Sequence, residues 1–473
     1  MTRRDLLGGV SLTPALAPVL AAPAEAQTGA TPGHRPNIVI VISDQFRADV
    51  LGCMGLNPMH LTPNLDAMAR RGVLFRQAIS NQPVCAPARA TMFTGQYPAR
   101  HGVWKNGLGL KPDAVTLAGT LRQQGYTANY IGKWHLSAQT PTDRMSGPVP
   151  MASRGGFADF WEASNALEMT SHPFEGDMYD GDGNPLHFSG EYRADFLTDR
   201  AIRFMKEKRQ KDRPFLLVVS YLEVHHQNDL DLFVPPKKYA DAYNNPWVPQ
   251  DLRPLPGNWP SQLPGYYGCV KGIDDAVGTL LASLKEQGID QDTIVLFTSD
   301  HGCHFRTRNA EYKRSPHESS IHIPLIAQGP GFDRAMEIQE LVSQVDFAPT
   351  LLEAAGVAVP ASMQGRSALP LLSRKHDWRD EVYIEVSESL TGRALRAPQW
   401  TYAVAIPSRA ASSPRYNEYL LYDRYADPYQ QVNLAGRAEV REISKSLRAR
   451  LIERIVKSGG PKPAIDPPFI PYV

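Results

Sequence analysis

The chain has 473 residues, of which 42% are hydrophobic, and its 50 Lys and Arg against 49 Asp and Glu give a formal net charge of +1. A chain of this length has more residues than one small hydrophobic core can organise, which predicts a large α/β domain with a smaller second domain. The balanced charge argues against nucleic acid or an anionic membrane surface as a partner. Four cysteines are too few for a disulfide framework, although an exported protein could pair two of them.

Residues 1–26 have the features of a bacterial export signal. Arg3 and Arg4 precede an apolar run that ends in an A-x-A site at Ala26. We therefore predict a twin-arginine-type signal peptide, cleavage near Ala26 and a periplasmic or secreted protein. A membrane anchor is the alternative, but Pro14 and Pro18 interrupt the run, and a spanning helix needs about 20 mostly apolar residues. No other stretch is long and apolar enough, so we expect no membrane span after cleavage.

Buried strands and amphipathic helices alternate through the first three quarters of the chain. Residues 36–44, "PNIVIVISD", form a continuous β-branched run that ends in an acid, as a strand buried on both faces of a parallel sheet does. Residues 215–226 and 293–302 repeat this pattern, and residues 277–284 predict one face of a helix that ends near Gly288. The alternation predicts an α/β fold with a large doubly wound mixed sheet flanked by helices.

The pattern of predicted secondary structure changes near residue 375. Residues 381–389, 401–407 and 418–425 predict strands separated by turns, and apolar residues at helical spacing follow in 443–455. We predict a catalytic domain over 35–375 and a smaller C-terminal α+β domain, built on an antiparallel sheet, over 376–473. The polar stretch 137–195 predicts long loops that shape a binding site.

Ionisable residues follow several of the predicted strands. The carboxyl ends of strands in an open α/β sheet form the edge at which ligands bind. One acid or histidine at a strand end is usually structural, but a set at several strand ends favours a metal or catalytic site. The set comprises Asp44, Gln45, Lys133, His135, His225, His226, Asp300 and His301.

Cys85 lies in "PVCAPARATMFTGQYPARHG", residues 83–102. Free cysteine is commonly a small buried packing residue, and that is one interpretation. The other is a reactive group at a helix N-terminus, where the helix dipole favours negative charge.

The motif "CAPAR" fits the C-x-P-x-R core of the formylglycine-dependent sulfatases, a family of the alkaline phosphatase superfamily. The chain also resembles these enzymes in "ISDQFRADVLG", "GQYPARHGVW", "GKWHL", "EVHH", "TSDHG" and "YKRSPHESS", which follow in the family's order up to about residue 330. In the C-terminal part, "LYDRYADPYQQVNLAG" looks like a turn of the family's smaller domain. The resemblance implies a sulfuric ester hydrolase.

For Cys85 the resemblance implies oxidation to formylglycine by a separate maturation enzyme. The hydrated aldehyde, a gem-diol, attacks sulfur, and the resulting monoester collapses to the aldehyde and expels sulfate. A thiol would instead leave a thiosulfate ester that is hard to cleave. By the same resemblance, Pro87 and Arg89 belong to the maturation signal, and Arg89 then orients the gem-diol.

The resemblance also implies a divalent metal. Asp44, Gln45, Asp300 and His301 match the family's ligand positions, with the formylglycine oxygen at residue 85 completing the set. Such a site suits a hard cation. Calcium is favoured, with magnesium or manganese as alternatives.

The remaining family positions concern charge and proton transfer. Lys133 and Lys313 match two sulfate-binding lysines, and His135 matches a histidine near the gem-diol that can act as a base. His225 matches the histidine that protonates the leaving alcohol, a role suited to a group that titrates near neutrality. Its neighbour His226 is the alternative, because Val224 replaces the family's proline.

The interpretation as a whole is an exported sulfatase that hydrolyses sulfate monoesters, with a sulfated carbohydrate as the expected substrate. A phosphonate or phosphate monoester hydrolase and an arylsulfatase acting on small molecules are alternatives. A catalytically silent protein that binds sulfated glycans is another, if Cys85 stays unmodified.

Two arginines in "SESLTGRALRAPQW" suggest the kind of substrate. Arg393 and Arg396 follow a predicted turn and could form a fork for a carboxylate or second sulfate on a sugar. His317 could face the same ring. The alternative is that the arginines serve surface solubility or form salt bridges with the acids Glu385 and Glu388.

Overall fold

The computed structural model describes residues 35–140, 145–373 and 377–468. The predicted signal peptide, residues 1–26, and the predicted domain boundary at residue 375 lie outside these ranges, so both stay predictions. Within these ranges no helix is long and apolar enough to cross a bilayer. All four cysteines are described, and none of them forms a disulfide.

The described residues contain strands of two sheets, which we number in chain order. They are β1 (Asn37–Ser43), β2 (Val73–Ile79), β3 (Thr127–Lys133), β4 (Trp161–Ser164), β5 (Ser171–His172), β6 (Glu175–Tyr179), β7 (Pro185–Ser189), β8 (Phe215–Tyr221), β9 (Thr293–Ser299), β10 (His322–Ile323), β11 (Leu325–Gln328), β12 (Met336–Ser343), β13 (Val382–Val386), β14 (Thr391–Arg396), β15 (Trp400–Ile406), β16 (Arg415–Asp423) and β17 (Ala464–Asp466).

The α-helices of the same residues range from one turn to more than seven. They are α1 (Pro63–Arg71), α2 (Cys85–Thr94), α3 (Pro98–His101), α4 (Leu117–Gln123), α5 (Leu167–Thr170), α6 (Arg193–Arg203), α7 (Trp259–Glu286), α8 (Glu318–Ile321), α9 (Phe347–Ala354) and α10 (Arg441–Ser458).

The larger sheet is mixed, as predicted. Its order is β10-β2-β11-β9-β1-β8-β3-β4-β6-β5, with β12 beside β2 and β7 beside β6. The central strands β9, β1, β8 and β3 are parallel, whereas β11 is antiparallel to β9. Their carboxyl ends therefore meet at one edge of the sheet. The ionisable residues that directly follow these strands in the sequence lie at this edge.

Helices cover both faces of this sheet, which confirms the doubly wound arrangement. Val39 and Val41 of β1 face a core formed with α1, α6 and α7. Ile38, Ile40 and Ile42 alternate with them and face a second core formed with α2, α4 and α9. Burial on both faces explains why β1 has an unbroken apolar sequence.

The smaller sheet has the order β13-β14-β15-β16-β17. Its first four strands are antiparallel, as predicted, and β17 is parallel to β16. On one face, α10 packs Leu447, Leu451 and Ile455 against the sheet. On the other, Ile384 belongs to a cluster with Ile79 of the larger sheet. The two sheets are thus joined by a shared apolar layer.

Two sequence predictions are wrong in detail. Residues 137–195 are not only loops, because they contain β4–β7 and α5. β6 and β7 lie near one end of the sheet and bury only one residue each, so their sequences lack the apolar run of a buried strand. The turn predicted before Arg393 is also absent, since residues 391–396 form β14, paired on both sides in the smaller sheet.

Candidate active site

Cys85 is the first residue of α2 and is buried at the sheet edge. Its Sγ lies 3.0 Å from Nζ of Lys313 and 3.4 Å from Nε2 of His301. Nζ of Lys133 is 3.8 Å away. Burial raises the pKa of the Cys85 thiol, but the charges of Lys133 and Lys313 outweigh burial and hold this pKa well below its usual range. Cys85 therefore sits among cations, unlike an ordinary packing cysteine.

Lys133 lies between Cys85 and two carboxylates. It ends β3, and its Nζ lies 2.7 Å from Oδ2 of Asp44 and 3.0 Å from Oε1 of Glu168. The preceding Gly132 has φ +98°, and a Cβ there would meet the carbonyl oxygen of Ser220 at 2.1 Å. Only glycine allows β3 to approach β8 this closely at the turn into the site.

Four side chains form a group that can hold a metal ion. One ligand atom from each of Asp44, Cys85, Asp300 and His301 lies within 4.8 Å of the others. The imidazole Nδ1 of His301 donates to the carbonyl of Gly302 at 3.0 Å, which leaves Nε2 as the acceptor facing the carboxylates.

Gln45 lies beside this group and has an unused acceptor. Its backbone N–H donates to Oδ1 of Asp300 at 3.1 Å, and its Nε2 donates to Sγ of Cys303. Its Oε1 is buried and has no hydrogen-bond partner within the described ranges. A buried orphan oxygen beside two carboxylates is the observation that a hard cation would explain. The residues present therefore fit an oxygen-rich metal site.

Arg89 donates hydrogen bonds to the carboxylates of both Asp44 and Asp300. It lies one turn after Cys85 on α2 and is fully buried. Its Nε donates to Oδ2 of Asp300 at 3.1 Å, and its Nη2 donates to Oδ2 of Asp44 at 3.3 Å. Its Nη1 donates to Oγ of Ser220 at 2.7 Å. The structure thus places the guanidinium on Asp44 and Asp300, and the role that the resemblance implies for Arg89, orienting the gem-diol, stays a prediction.

The two carboxylates have opposite pKa shifts. Burial raises the pKa of Asp44, but Lys133, His225 and Lys313 outweigh burial and hold that pKa well below its usual range. Burial and the charge of Asp44 raise the pKa of Asp300 above its usual value. Such a split is expected where two acids share one buried site, because their charges repel each other.

The neighbouring histidines take different positions. Nε2 of His225 is 3.1 Å from Nζ of Lys313, next to the Cys85 cluster. His226 stacks on the outer side, with its ring centroid 4.5 Å from that of His225 and 4.2 Å from that of Tyr312. His135 is buried, and neither of its ring nitrogens has a hydrogen-bond partner among the described residues.

A cavity of about 320 Å³ opens above the cluster. It is lined by Cys85, Asn106, Glu168, His225, His226, Asn228, Arg306, Ala310, Glu311, Tyr312, Lys313 and Arg314. Glu168 is a site residue that the sequence did not indicate. It lies in the stretch predicted as loops and belongs to no motif, so no local signal could have identified it.

A family model described as Sulfatase matches residues 36–357, which is more than half of the chain. The chain belongs to the sulfatase family. A second family model, described as N-sulphoglucosamine sulphohydrolase, C-terminal, matches residues 311–457 of this sulfatase. The chain is therefore a sulfuric ester hydrolase, and the resemblance stated from the sequence is confirmed.

Individual relatives match this sulfatase over nearly its whole length. An ulvan-active sulfatase of Formosa agariphila is 31% identical over 444 residues, which are 90% of this chain and 82% of that protein. An endo-4-O-sulfatase of Bacteroides thetaiotaomicron is 27% identical and covers 85% and 88% of the two chains. A solved structure described under metabolism of multiple glycosaminoglycans by the same organism has a TM-score of 0.80 at 26% identity, covering 90% and 97%.

The predicted substrate residues of this sulfatase, Arg393, Arg396 and His317, do not line the cavity. Arg393 is buried in an ion pair with Glu385, with Nη2 3.3 Å from Oε2. Arg396 is buried in an ion pair with Glu318 at 3.1 Å. His317 is buried too, and its ring nitrogens contact Oγ of Ser315 and the hydroxyl of Tyr422. The predicted arginine fork is thus corrected to two structural ion pairs, because both arginines lie in the buried strand β14.

We expect Arg393→Ala to destabilise this sulfatase without changing its substrate preference. Removing one partner of a buried ion pair leaves the other charge uncompensated, which costs about 3–5 kcal/mol of unfolding free energy. The midpoint of denaturant unfolding measures the loss, and Arg393→Ala with Glu385→Ala should recover part of it. A normal midpoint together with a selective loss of turnover on sulfated sugars would restore the substrate role.

Proposed function

We propose that this sulfatase hydrolyses sulfate monoesters of carbohydrates to an alcohol and inorganic sulfate, using a formylglycine at residue 85 and one divalent metal. The observation that carries the proposal is the position of Cys85, which touches Lys313 and shares one ligand group with Asp44, Asp300 and His301. Relatives that are named for carbohydrate substrates, an ulvan-active sulfatase and an N-acetylglucosamine-6-O-sulfatase among them, support a carbohydrate substrate.

The proposed metal would be held by Asp44, Gln45, Asp300 and His301 together with the oxygen that replaces the thiol of residue 85. Carboxylate and amide oxygens suit a hard cation, and the family favours calcium over the alternatives magnesium and manganese. When bound, such a cation supplies Lewis-acid stabilisation of anionic oxygens.

The proposed nucleophile requires a partner. A formylglycine-generating maturation enzyme would oxidise Cys85, recognising Pro87 and Arg89 in the unfolded chain, because all three side chains are buried after folding. The hydrated aldehyde supplies the oxygen that attacks sulfur. We also propose that the N-terminal sequence directs export by the twin-arginine route to the periplasm or beyond.

The chain's own residues supply the rest of the chemistry. The sulfuryl group spreads negative charge over its equatorial oxygens during transfer, and Lys133 and Lys313 are fixed, buried cations that stabilise this charge. His225 lies beside Lys313 at the floor of the cavity and donates a proton to the leaving alcohol oxygen. His135, whose ring nitrogens are unpartnered in the described structure, accepts the proton that is lost when the aldehyde re-forms.

The two neighbouring histidines can be separated by the leaving group. We expect His225→Ala to lower turnover of alkyl and sugar sulfates about 10²–10⁴-fold, the usual contribution of a general acid. Its effect on 4-nitrophenyl sulfate should be small, because nitrophenolate leaves without protonation.

His226→Ala is the matched control, since His226 stacks on His225 from the outer side. Its effect should not depend on the leaving group. If instead His226→Ala shows the leaving-group dependence and His225→Ala does not, the acid is assigned to the wrong histidine.

A substrate panel tests the proposed function itself. The matured enzyme should turn over a sulfated oligosaccharide and 4-nitrophenyl sulfate at least about 10³-fold faster than the corresponding phosphate and phosphonate monoesters. Preferential hydrolysis of the phosphonate would establish the alternative assignment, and specific binding of sulfated glycans without turnover would establish a silent binding protein.

A further inference from the structure

Glu168 is a buried acid in the wall of the catalytic cavity. It lies on the one-turn helix α5, its side chain is 7% exposed, and it lines the cavity beside Cys85 and His225. Its Oε1 accepts a hydrogen bond from Nζ of Lys133 at 3.0 Å. Its Oε2 is buried and has no partner in the described parts of the chain.

The surroundings of Glu168 favour its ionised carboxylate. Burial raises its pKa, but Lys133, followed by His135 and His225, outweighs burial and lowers the pKa to about 2. An ionised carboxylate only accepts hydrogen bonds. A buried acceptor without a donor is costly, so Oε2 needs a donor that the described residues do not supply.

The same charge limits what that donor is. Sulfate and sulfonate oxygens carry no proton near neutral pH, and a carboxylate repels them. The group that complements Oε2 is a hydroxyl or amide N–H on the substrate. Lys133 places Glu168 close to Cys85. Nζ of this lysine contacts Glu168 and also lies 3.8 Å from Sγ of Cys85.

We propose that Oε2 of Glu168 accepts a hydrogen bond from a hydroxyl on the carbon next to the sulfate ester, and so selects vicinal hydroxy sulfates, the pattern of sulfated sugars, over aryl sulfates. The inference rests on the proposed sulfatase function and deepens it. Polar side chains continue the same wall, Asn106 and Asn228 among them, as expected where a sugar ring displaces water.

Two probes that differ by one hydroxyl test this. They are the monosulfate of cyclohexane-1,2-diol, in its cis and trans forms, and cyclohexyl sulfate. The wild type should favour the better diol isomer by about 10–100-fold in kcat/KM, the effect of one hydrogen bond to a charged group. In Glu168→Gln this preference should fall to within about threefold of one.

Turnover of 4-nitrophenyl sulfate distinguishes two roles of Glu168, recognition of a substrate hydroxyl and positioning of Lys133. This substrate lacks the hydroxyl but needs the same lysine, so its loss of turnover in Glu168→Gln measures the effect through Lys133, and the diol monosulfate should lose about 10-fold or more beyond that. An equal loss on all three substrates would mean that Glu168 only positions Lys133, and would overturn the proposal. Glu168→Asp keeps the charge but withdraws the oxygens, and should show the same loss of diol preference.

Glu311→Gln is the matched control. This acid lines the same cavity but is half exposed and paired with Arg314. An equal loss of diol preference in Glu311→Gln would show a general charge effect and contradict the proposal. If the cyclohexyl sulfates bind without turnover, their inhibition constants against 4-nitrophenyl sulfate carry the same comparison. Absence of 4-nitrophenyl sulfate turnover in the matured wild type would instead count against the proposed function.

Discussion

Cys85→Ala should abolish sulfate ester hydrolysis while the protein stays folded. Alanine keeps the Cβ that begins α2 but removes the atom that Lys133, Lys313 and His301 surround. Loss of a nucleophile typically lowers kcat by about 10⁴–10⁶-fold. Lys133 keeps its partners Asp44 and Glu168, so the fold should persist, with a somewhat lower unfolding midpoint because the group that those cations stabilise is gone. Turnover of 4-nitrophenyl sulfate and the unfolding midpoint together measure the outcome.

The chemical state of residue 85 is the companion measurement. Mass spectrometry of the peptide that spans Cys85 distinguishes thiol from aldehyde. Wild-type protein made without a maturation enzyme should be folded and inactive, and its activity should rise in proportion to the converted fraction. Full activity of a preparation in which every chain retains the thiol would rule out the formylglycine mechanism.

Asp300→Asn should remove both the bound metal and the activity. Asp300 follows β9, and its two oxygens accept hydrogen bonds from Gln45 and Arg89. Asparagine keeps the shape but removes one of the two negative charges that balance Arg89 and a divalent cation. We expect turnover to fall by about 10³-fold or more, since metal and fixed charges supply most of the stabilisation in such a transfer. Elemental analysis of the purified protein reports the metal.

Asp251→Asn is the matched control for this experiment. Asp251 is a mostly buried carboxylate that pairs with Arg47 at 2.8 Å, outside the metal-type group. Its replacement should lower the unfolding midpoint but leave the metal content unchanged. In the wild type, a chelator should abolish turnover and added calcium should restore it. Full activity of a metal-free preparation would contradict the metal requirement.

The sequence by itself determined the parts of this protein whose signals are local. The unbroken apolar run of residues 37–43 requires burial on both faces, so it specified a central strand and placed Asp44 at its end. The motif "CAPAR", residues 85–89, indicated the candidate nucleophile position through its resemblance to the C-x-P-x-R core of the sulfatases. Short segments of this kind, each only a few residues long, also indicated the family and the candidate metal ligands.

Only the tertiary structure decided which side chains meet across long separations. Arg89 pairs with Asp300, 211 positions away, and Glu168 reaches Lys133 from an edge segment that has no apolar periodicity. Arg393 has the sequence of an exposed recognition residue, yet β14 is paired on both sides and turns it toward Glu385. Whether a side chain is buried, and which residue it pairs with, depends on how distant elements pack. The local sequence around a charged residue is the same whether that residue contacts substrate or a buried counterion.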